Sequence, residues 1–290
     1  MKHGIFYAFW EREWAADYCY YIEKVARLGF DILEIGAWAL IGQPKDKVRE
    51  IRKCAEANNI IITGGGGPTP DNNIASADPA VVAHALDTYA RLFEQLGEVD
   101  AHTMCGGLYS YWPYNFSDLD AKEDEWKRSV EGMRKVADLA APYKINLCME
   151  VLNRFESYLI NTAEECVQYC KDVGKDNVKV HLDTFHMGIE EDDMAEAIRT
   201  AGSYLGHLHT GEANRRVPGQ GNRVPWKDIG QALHDIGYDG NVVMEPFVLM
   251  GGAVGRDISI WHDRSKGATE EQMDHDAAEA LKFQKSMLEI

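Results

Sequence analysis

The sequence is poor in basic residues and has no long apolar run. Lys and Arg together number 30 against 47 Asp and Glu, which gives a formal net charge of −17 over 290 residues. Nucleic acids and anionic membrane surfaces attract basic patches, so this composition argues against both as partners. No stretch approaches the roughly 18 consecutive apolar residues of a membrane span, and the N-terminal residues lack the apolar core of a signal peptide. We therefore expect a cytoplasmic protein whose partner is a small molecule.

The sequence also lacks the motifs of several common kinds of site. Its six cysteines include no Cys-x-x-Cys pair, and in a reducing compartment we expect all six to be free, buried thiols. The glycine run 64–67 is not followed by the Gly-Lys-Ser/Thr ending of a phosphate-binding loop. No Gly-x-Ser-x-Gly elbow is present. The sequence therefore indicates neither a nucleotide site nor a covalent nucleophile.

Strand-like apolar runs alternate eight times with amphipathic helical patterns. Apolar residues at helical spacing predict helices at 18–28, 45–58, 192–201 and 226–236. Capping boxes that begin at Thr162 and Thr269 predict two further helix starts. The strand-like runs are 4–9, 31–35, 60–63, 101–105, 145–150, 178–183, 204–209 and 241–245. Eight successive βα units predict a single-domain (β/α)8 TIM barrel over residues 1–290. We expect segment 246–266 to be a long loop that serves function or an oligomer contact.

The last four strand-like runs each end at a side chain that can bind a metal. These residues are Glu150, Asp183, His209 and Glu245, each separated from the next by about the length of one βα unit. Because the carboxyl ends of barrel strands share one face, the four side chains should converge there. Three carboxylates and one imidazole form a mostly hard donor set, which suits Mn²⁺, Co²⁺ or Mg²⁺ better than a structural zinc site.

Two further histidines, His181 and His207, lie one step deeper on the same strands. Because strand side chains alternate, they should point the same way as the four ligands. We predict that they pack beneath the metal site or support it, and that neither binds the metal.

Other polar side chains follow the strand ends. Glu156, His186 and Arg215 have the types needed to hold hydroxyl groups and a carbonyl, although solvated loop positions explain them equally well. The loop after strand four is dense in aromatic rings, and Trp112 together with Phe6 could form apolar walls for the carbon face of a sugar.

Long motifs extend over nearly the whole chain. They include Leu28-Gly-Phe-Asp-Ile-Leu-Glu-Ile35, Tyr109-Ser-Tyr-Trp-Pro113, Glu150-Val-Leu-Asn-Arg-Phe-Glu156, Leu182-Asp-Thr-Phe-His-Met187, Gly206-His-Leu-His-Thr-Gly-Glu212 and Val243-Met-Glu-Pro-Phe247. In these motifs the sequence resembles the D-tagatose 3-epimerase family, and most closely its D-allulose (D-psicose) 3-epimerase members. The resemblance implies a divalent metal, usually Mn²⁺ or Co²⁺, held by the four strand-end ligands. It also implies that Glu156, His186 and Arg215 bind the substrate around C1 to C3.

The function implied by the resemblance is a ketose 3-epimerase that interconverts D-fructose and D-allulose through an enediolate. Glu150 and Glu245 would be the two catalytic bases, since inversion at C3 needs a base on each face. We assign Phe6, Gly66, Gly107 and Trp112 as further substrate contacts. Several relatives have tyrosine where this chain has Phe6, and this leaves the preference among ketohexoses open. The family also implies a homodimer or homotetramer.

Three other functions are compatible with parts of the pattern. An aldose–ketose isomerase on the same barrel would share the metal but move the proton between C1 and C2. A sugar-binding protein without catalysis would need the pocket but not two carboxylate bases. A metal-dependent DNA-repair nuclease would need basic phosphate contacts, which the charge of −17 disfavours.

Overall fold

Eight parallel strands close into a barrel in the computed structural model, which describes residues 1–117 and 119–289. Each strand pairs with the next along the chain, and β8 pairs with β1. The strands are β1 Lys2–Phe6, β2 Ile32–Gly36, β3 Ile61–Gly65, β4 Thr103–Gly106, β5 Asn146–Glu150, β6 Val178–Asp183, β7 Leu205–Thr210 and β8 Asn241–Met244. The predicted TIM barrel is therefore confirmed.

Helices surround the barrel, and those that the periodicity predicts at 18–28, 45–58, 192–201 and 226–236 are all present. In the described part of the chain they are α1 Tyr18–Leu28, α2 Lys45–Asn58, α3 Pro79–Glu98, α4 Lys122–Ala140, α5 Ala163–Val173, α6 Thr184–Glu190, α7 Met194–Ala201, α8 Trp226–Asp235, α9 Gly252–Asp257 and α10 Glu270–Leu288. Both predicted capping positions start helices: the Thr162 hydroxyl accepts the Glu165 backbone N–H, and Thr269 forms both halves of a capping box with Gln272.

Three local elements differ from the prediction. The first strand ends at Phe6 because Tyr7–Phe9 turn into a 3-10 helix, and a short, fully apolar run does not distinguish the two states. Segment 246–266 contains α9, so it is not a continuous loop. The short α6 follows β6 directly, with the Asp183 carboxylate accepting the Phe185 N–H at its start. This helix has only seven residues, too few for a clear helical period.

The prediction of six free thiols is wrong for two cysteines. Cys19 on α1 and Cys54 on α2 form a disulfide, with their Cα atoms 5.6 Å apart. They are 35 residues apart in the sequence, so only the packing of the two helices reveals that they meet. The other four, Cys105, Cys148, Cys166 and Cys170, are free and buried.

Side-chain alternation separates the apolar core from the polar barrel interior. On β2, Leu33 and Ile35 are fully buried, and they point to the opposite side from Glu34, which faces the barrel axis. The same alternation directs a set of polar side chains from β5 to β8 towards the axis, and the site lies at the carboxyl end of these strands. Among residues 1–117 and 119–289, no helix combines the length and apolar composition needed to cross a bilayer.

Candidate active site

Four potential metal ligands meet at the carboxyl end of the barrel. Glu150 ends β5, Asp183 ends β6, His209 lies near the end of β7, and Glu245 directly follows β8. One ligand atom from each lies within 4.8 Å of the others. Asp183 and His209 are almost fully buried, and the other two are only slightly exposed. The structure thus brings together the four residues that the sequence singles out.

The donor set fits a divalent cation. Three carboxylates that converge in a buried place repel one another unless positive charge compensates them. The Nδ1 atom of His209 is buried, has no hydrogen-bond partner, and lies 3.6 Å from Oε1 of Glu245. An unpaired imidazole nitrogen that faces carboxylate oxygens is the arrangement expected where an ion of the Mn²⁺, Co²⁺ or Mg²⁺ type binds.

The two glutamates of this set are electrostatically unlike. Burial outweighs the opposing charge of His186 and, together with the Glu245 carboxylate, raises the pKa of Glu150. Burial also disfavours ionised Glu245, but the charges of His209 and Arg215 outweigh it and lower the pKa of Glu245. The two carboxyls therefore lie in different electrostatic surroundings, Glu150 beside His186 and Glu245 beside His209 and Arg215.

Arg215 is the buried cation of the site. Its Nη1 atom donates to Asp183 at 3.1 Å and to Glu245 at 2.9 Å, and its Nη2 lies 3.7 Å from Glu156. The guanidinium carbon is 3.7 Å from the ring centroid of Phe185, so the planar group also stacks on an aromatic face. A loop after β7 holds this position with Arg215 in the left-handed region, at φ 64°.

His186 and Glu156 form the adjoining polar wall. His186 lies on α6, with Nε2 3.4 Å from Glu150 and Nδ1 2.8 Å from the Asn153 amide nitrogen. Glu156 accepts from the Asn153 amide at 3.1 Å and from the Trp112 indole N–H at 3.2 Å. Burial raises the pKa of the Glu156 carboxyl, but His186 and Arg215 outweigh burial and lower it. A carboxylate held ionised in this way can accept hydrogen bonds from sugar hydroxyls.

These groups open into a cavity of about 320 Å³, at the lower end of the range for small-molecule sites. Its charged lining residues are Glu150, Glu156, His186, His209, Arg215 and Glu245. Its apolar lining residues, which we call the apolar wall, are Phe6, Trp38, Trp112, Leu152 and Phe247, and Gly66 and Gly107 also line it. All seven residues that the sequence assigns to substrate binding therefore line this cavity. Charged groups beside apolar rings suit a ligand such as a sugar, whose hydroxyl groups can bind the former and whose C–H groups can pack on the latter.

The glycine run lets the chain after β3 pass close to the aromatic wall. Gly66 has φ 118°, and its carbonyl accepts from the Trp38 indole at 3.1 Å. A Cβ added at Gly67 would lie 2.7 Å from the Cβ of Trp112. Larger residues at 66 and 67 are thus excluded by backbone conformation and by contact, respectively.

His181 and His207 lie beneath the four ligands and are fully buried. Their rings contact that of His209 at centroid distances of 4.1 and 5.0 Å. Neither belongs to the group of Glu150, Asp183, His209 and Glu245, although His181 approaches Glu150 and His209 closely enough to share an ion with them. The expectation that His181 and His207 support the site without binding metal therefore stays a prediction.

Sequence reasoning missed several residues of the site region. Trp38, Leu152 and Phe247 belong to the apolar wall, and only the fold reveals their position, because an apolar residue after a strand end can equally well belong to the core. Glu34 lies in the barrel interior, 2.6 Å from His209. A signal for it exists in the sequence, since a charged residue within the apolar strand Ile32-Leu-Glu-Ile35 must find buried partners.

The chain is similar to known proteins over its full length. The model of the xylose isomerase-like TIM barrel family matches residues 22–275. The D-psicose 3-epimerase of Ruminiclostridium cellulolyticum is 55% identical over 289 residues, covering 100% of this chain and 98% of the relative. That of Agrobacterium fabrum is 52% identical, covering 99% of both chains. The crystal structure of D-psicose 3-epimerase with D-tagatose, from Clostridium cellulolyticum H10, superposes with a TM-score of 0.98 at 55% identity and covers 99% of both chains.

Proposed function

This chain belongs to the D-psicose 3-epimerases, within the family of xylose isomerase-like TIM barrels. We therefore propose that it is a metal-dependent enzyme that interconverts D-fructose and D-psicose (D-allulose). The proposal includes a divalent ion, Mn²⁺ or Co²⁺ with Mg²⁺ as an alternative, held by Glu150, Asp183, His209 and Glu245. It also includes a two-base mechanism at C3.

The observation that carries the proposal is a pair of carboxylates beside one sugar-sized cavity. Glu150 and Glu245 lie at the ends of β5 and β8, on different sides of Asp183 and His209, and both line the cavity. Inversion of a carbon that carries an acidic proton needs one group to remove the proton and a second to return it from the other face. In the proposed reaction one glutamate removes the C3 proton, and the other protonates the opposite face of the enediolate.

Arg215 supplies the charge that this intermediate requires. Its guanidinium already donates to Asp183 and Glu245, so it is fixed before the substrate arrives. We assign it to the C2 oxygen, where negative charge develops as the C3 proton leaves. A divalent ion bound to the four ligands would polarise the C2 carbonyl and the C3 hydroxyl.

His186 and Glu156 would orient the sugar. His186 lies between Glu150 and Glu156, so that it can donate to a hydroxyl near C1 while Asn153 holds its ring. Glu156, fixed by Trp112 and Asn153, would accept a hydrogen bond from a sugar hydroxyl on the same side. The apolar wall of Phe6, Trp112 and Phe247 then faces the carbon side of the ketose.

Product analysis with D-fructose tests the reaction. Metal-loaded enzyme should form D-psicose, and enzyme dialysed against a chelator should form none until Mn²⁺ or Co²⁺ is restored. An aldose product in place of a 3-epimer would contradict the proposal in favour of an aldose–ketose isomerase. Full activity after complete removal of the metal would contradict the metal requirement.

Glutamine variants test the two bases. Glu150→Gln and Glu245→Gln keep the side-chain volume and remove the base, so each should abolish epimerisation. A suitable control is Glu125→Gln, because Glu125 is also buried but lies on α4, where it bonds Ser110 and Tyr114. Full turnover by Glu245→Gln would contradict the two-base mechanism.

We also propose that the chain self-associates through the face around the cavity entrance. Large apolar side chains are exposed there, with Phe155 73% and Trp261 69% accessible. Ile189 lines the same depression on the surface as these two residues, next to the entrance of the cavity. Exposed apolar patches of this kind are typical of protein contacts. In light scattering after size-exclusion chromatography, wild type should be a dimer or tetramer, and a Phe155→Ser/Trp261→Ser double variant should dissociate. Ile61→Ser, at an exposed position at the start of β3, is the matched control, and a monomeric wild type would contradict the proposal.

A further inference from the structure

A fully buried carboxylate that the proposed reaction does not use lies under the metal site. Glu34 is on β2 and is 0% exposed. Its Oε1 atom is 2.6 Å from Nε2 of His209, and its Oε2 accepts from the Thr63 hydroxyl at 2.8 Å. Oε2 also lies 3.0 Å from Nε2 of His207. A buried charge persists only where its neighbours compensate it, so these contacts are what keeps Glu34 in the core.

The contact with Glu34 determines how His209 presents its ring. A carboxylate accepts hydrogen bonds, so the proton of the neutral imidazole must be on Nε2. The opposite nitrogen, Nδ1, then carries the lone pair. This is the atom that has no hydrogen-bond partner and faces Glu245 at 3.6 Å. A metal ligand needs an unprotonated nitrogen directed at the ion, and the carboxylate on the far side of the ring meets both requirements.

A second cation site among these residues is the competing interpretation. Glu34, Cys105, His207 and His209 also place one ligand atom each within 4.8 Å of the others. Ligands about 2.0–2.1 Å from a tetrahedral ion are roughly 3.3 Å apart, however. The 2.6 Å separation of Glu34 Oε1 and His209 Nε2 is that of a hydrogen bond. The geometry therefore favours a hydrogen-bonded support over an ion at this position.

We propose that Glu34 is a positioning residue, which fixes the ring of His209 and directs its Nδ1 atom at the metal. This inference rests on the proposed function, because it assumes that the four strand-end residues bind a divalent ion. Removal of a carboxylate that orients a ligating histidine typically weakens metal binding about 10- to 100-fold. Glu34 does not line the cavity, so its replacement should change the epimerase rate only by weakening metal binding.

The test measures Mn²⁺ affinity in Glu34→Gln, Glu34→Ala and wild type, by the electron paramagnetic resonance signal of free Mn²⁺. Glutamine keeps an acceptor but loses the charge, so we expect binding about tenfold weaker, and about 100-fold weaker for alanine, which removes the acceptor as well. Glu125→Gln, which removes a buried carboxylate outside the barrel, should bind within about twofold of wild type. Circular dichroism of each metal-free variant verifies that it is folded.

Metal rescue separates positioning from a general structural role. Raising the Mn²⁺ concentration should restore most of the epimerase rate of Glu34→Gln, whereas a distorted cavity would stay slow at saturating metal. A Glu34→Gln protein with wild-type Mn²⁺ affinity would overturn the inference, and so would a rate that saturating Mn²⁺ leaves unchanged. A wild-type chain that binds no Mn²⁺ would instead contradict the proposed function, and with it the inference.

Wild-type protein provides a readout that needs no Glu34 variant. In ¹⁵N-histidine-labelled, Mg²⁺-loaded protein, His209 should show a proton on Nε2 and none on Nδ1. Its resonances can be assigned from their loss in His209→Gln spectra taken under the same conditions. A proton on Nδ1 of His209 would overturn the inference even if every Glu34 variant failed to fold.

Discussion

Replacement of Arg215 by lysine should impair catalysis while leaving the fold intact. The guanidinium makes two charge-assisted hydrogen bonds, at 3.1 Å to Asp183 and 2.9 Å to Glu245, and stacks on the ring of Phe185. Lysine keeps the positive charge but concentrates it on one nitrogen at the end of a flexible chain. It cannot reproduce the planar contact with Phe185 and both carboxylate contacts together.

The size of the effect follows from the donor that is displaced. In the proposed reaction the guanidinium stabilises the charge that develops on the C2 oxygen, and removal of a preorganised donor to a developing oxyanion typically costs about 100- to 1,000-fold in rate. This loss corresponds to about 3–4 kcal/mol of transition-state stabilisation. The two carboxylate hydrogen bonds and the Phe185 contact exist before substrate binds, so they hold the donor in place and add nothing to this sum.

The assay is initial-rate epimerisation of D-fructose at saturating Mn²⁺, with D-psicose quantified by chromatography. Arg216→Lys is the matched control, because Arg216 follows in the same loop but bonds the Gln220 carbonyl and none of the site carboxylates. An Arg215→Lys enzyme whose kcat/KM stays within about twofold of wild type would refute the role given to the guanidinium.

Three further predictions concern metal, stability and pH. At a free Mn²⁺ concentration 100 times its Kd, the metal should raise the unfolding free energy by about 2.7 kcal/mol, and the Tm should therefore be higher than in the presence of a chelator. Equal Tm values with Mn²⁺ and with chelator would contradict a metal site in the folded state. Lys24→Met should lower the unfolding free energy in urea by about 1–2 kcal/mol without changing kcat, because the buried Lys24 ammonium joins α1 to Asp274 on α10 at 3.1 Å. Breaking a fully buried ion pair costs roughly 3–5 kcal/mol, but Asp274 is partly exposed and can be hydrated again, so the loss here is smaller. Burial lowers the pKa of His3 by more than the Glu289 carboxylate raises it. The unfolded chain therefore binds more protons than the folded chain below about pH 6.5, and the unfolding free energy falls as the pH drops through this range. His3→Gln should therefore flatten the fall of Tm between about pH 6.5 and 5, and an unchanged slope would contradict this assignment.

The sequence predicts a feature well where the local pattern around one residue is enough to place that residue in the fold. Glu150, Asp183, His209 and Glu245 each end an apolar run, so alternation and the rules of parallel barrels bring them together without knowledge of any contact. The caps at Thr162 and Thr269 are local for the same reason, since a hydroxyl and a backbone N–H three residues away form the whole feature.

Features that depend on two distant segments were beyond sequence reasoning. The Cys19–Cys54 disulfide depends on how α1 packs against α2, and the Arg215 contacts depend on a loop with a left-handed residue. The 3-10 turn at Tyr7–Phe9 replaces the end of an expected strand because an all-apolar run does not reveal its period. Glu34 could be predicted only in part: its burial within an apolar strand follows from the sequence, but its contact with His209 does not.

Hydrogen exchange at C3 in heavy water tests the two-base mechanism most directly. Metal-loaded enzyme with D-fructose should introduce one deuterium at C3 of the D-psicose formed, detected by NMR, and Glu245→Gln should not form this product. Deuterium at C1 in place of C3 would indicate an aldose–ketose isomerase. D-psicose formed without any deuterium at C3 would contradict proton exchange with solvent through the two-base mechanism built on Glu150 and Glu245.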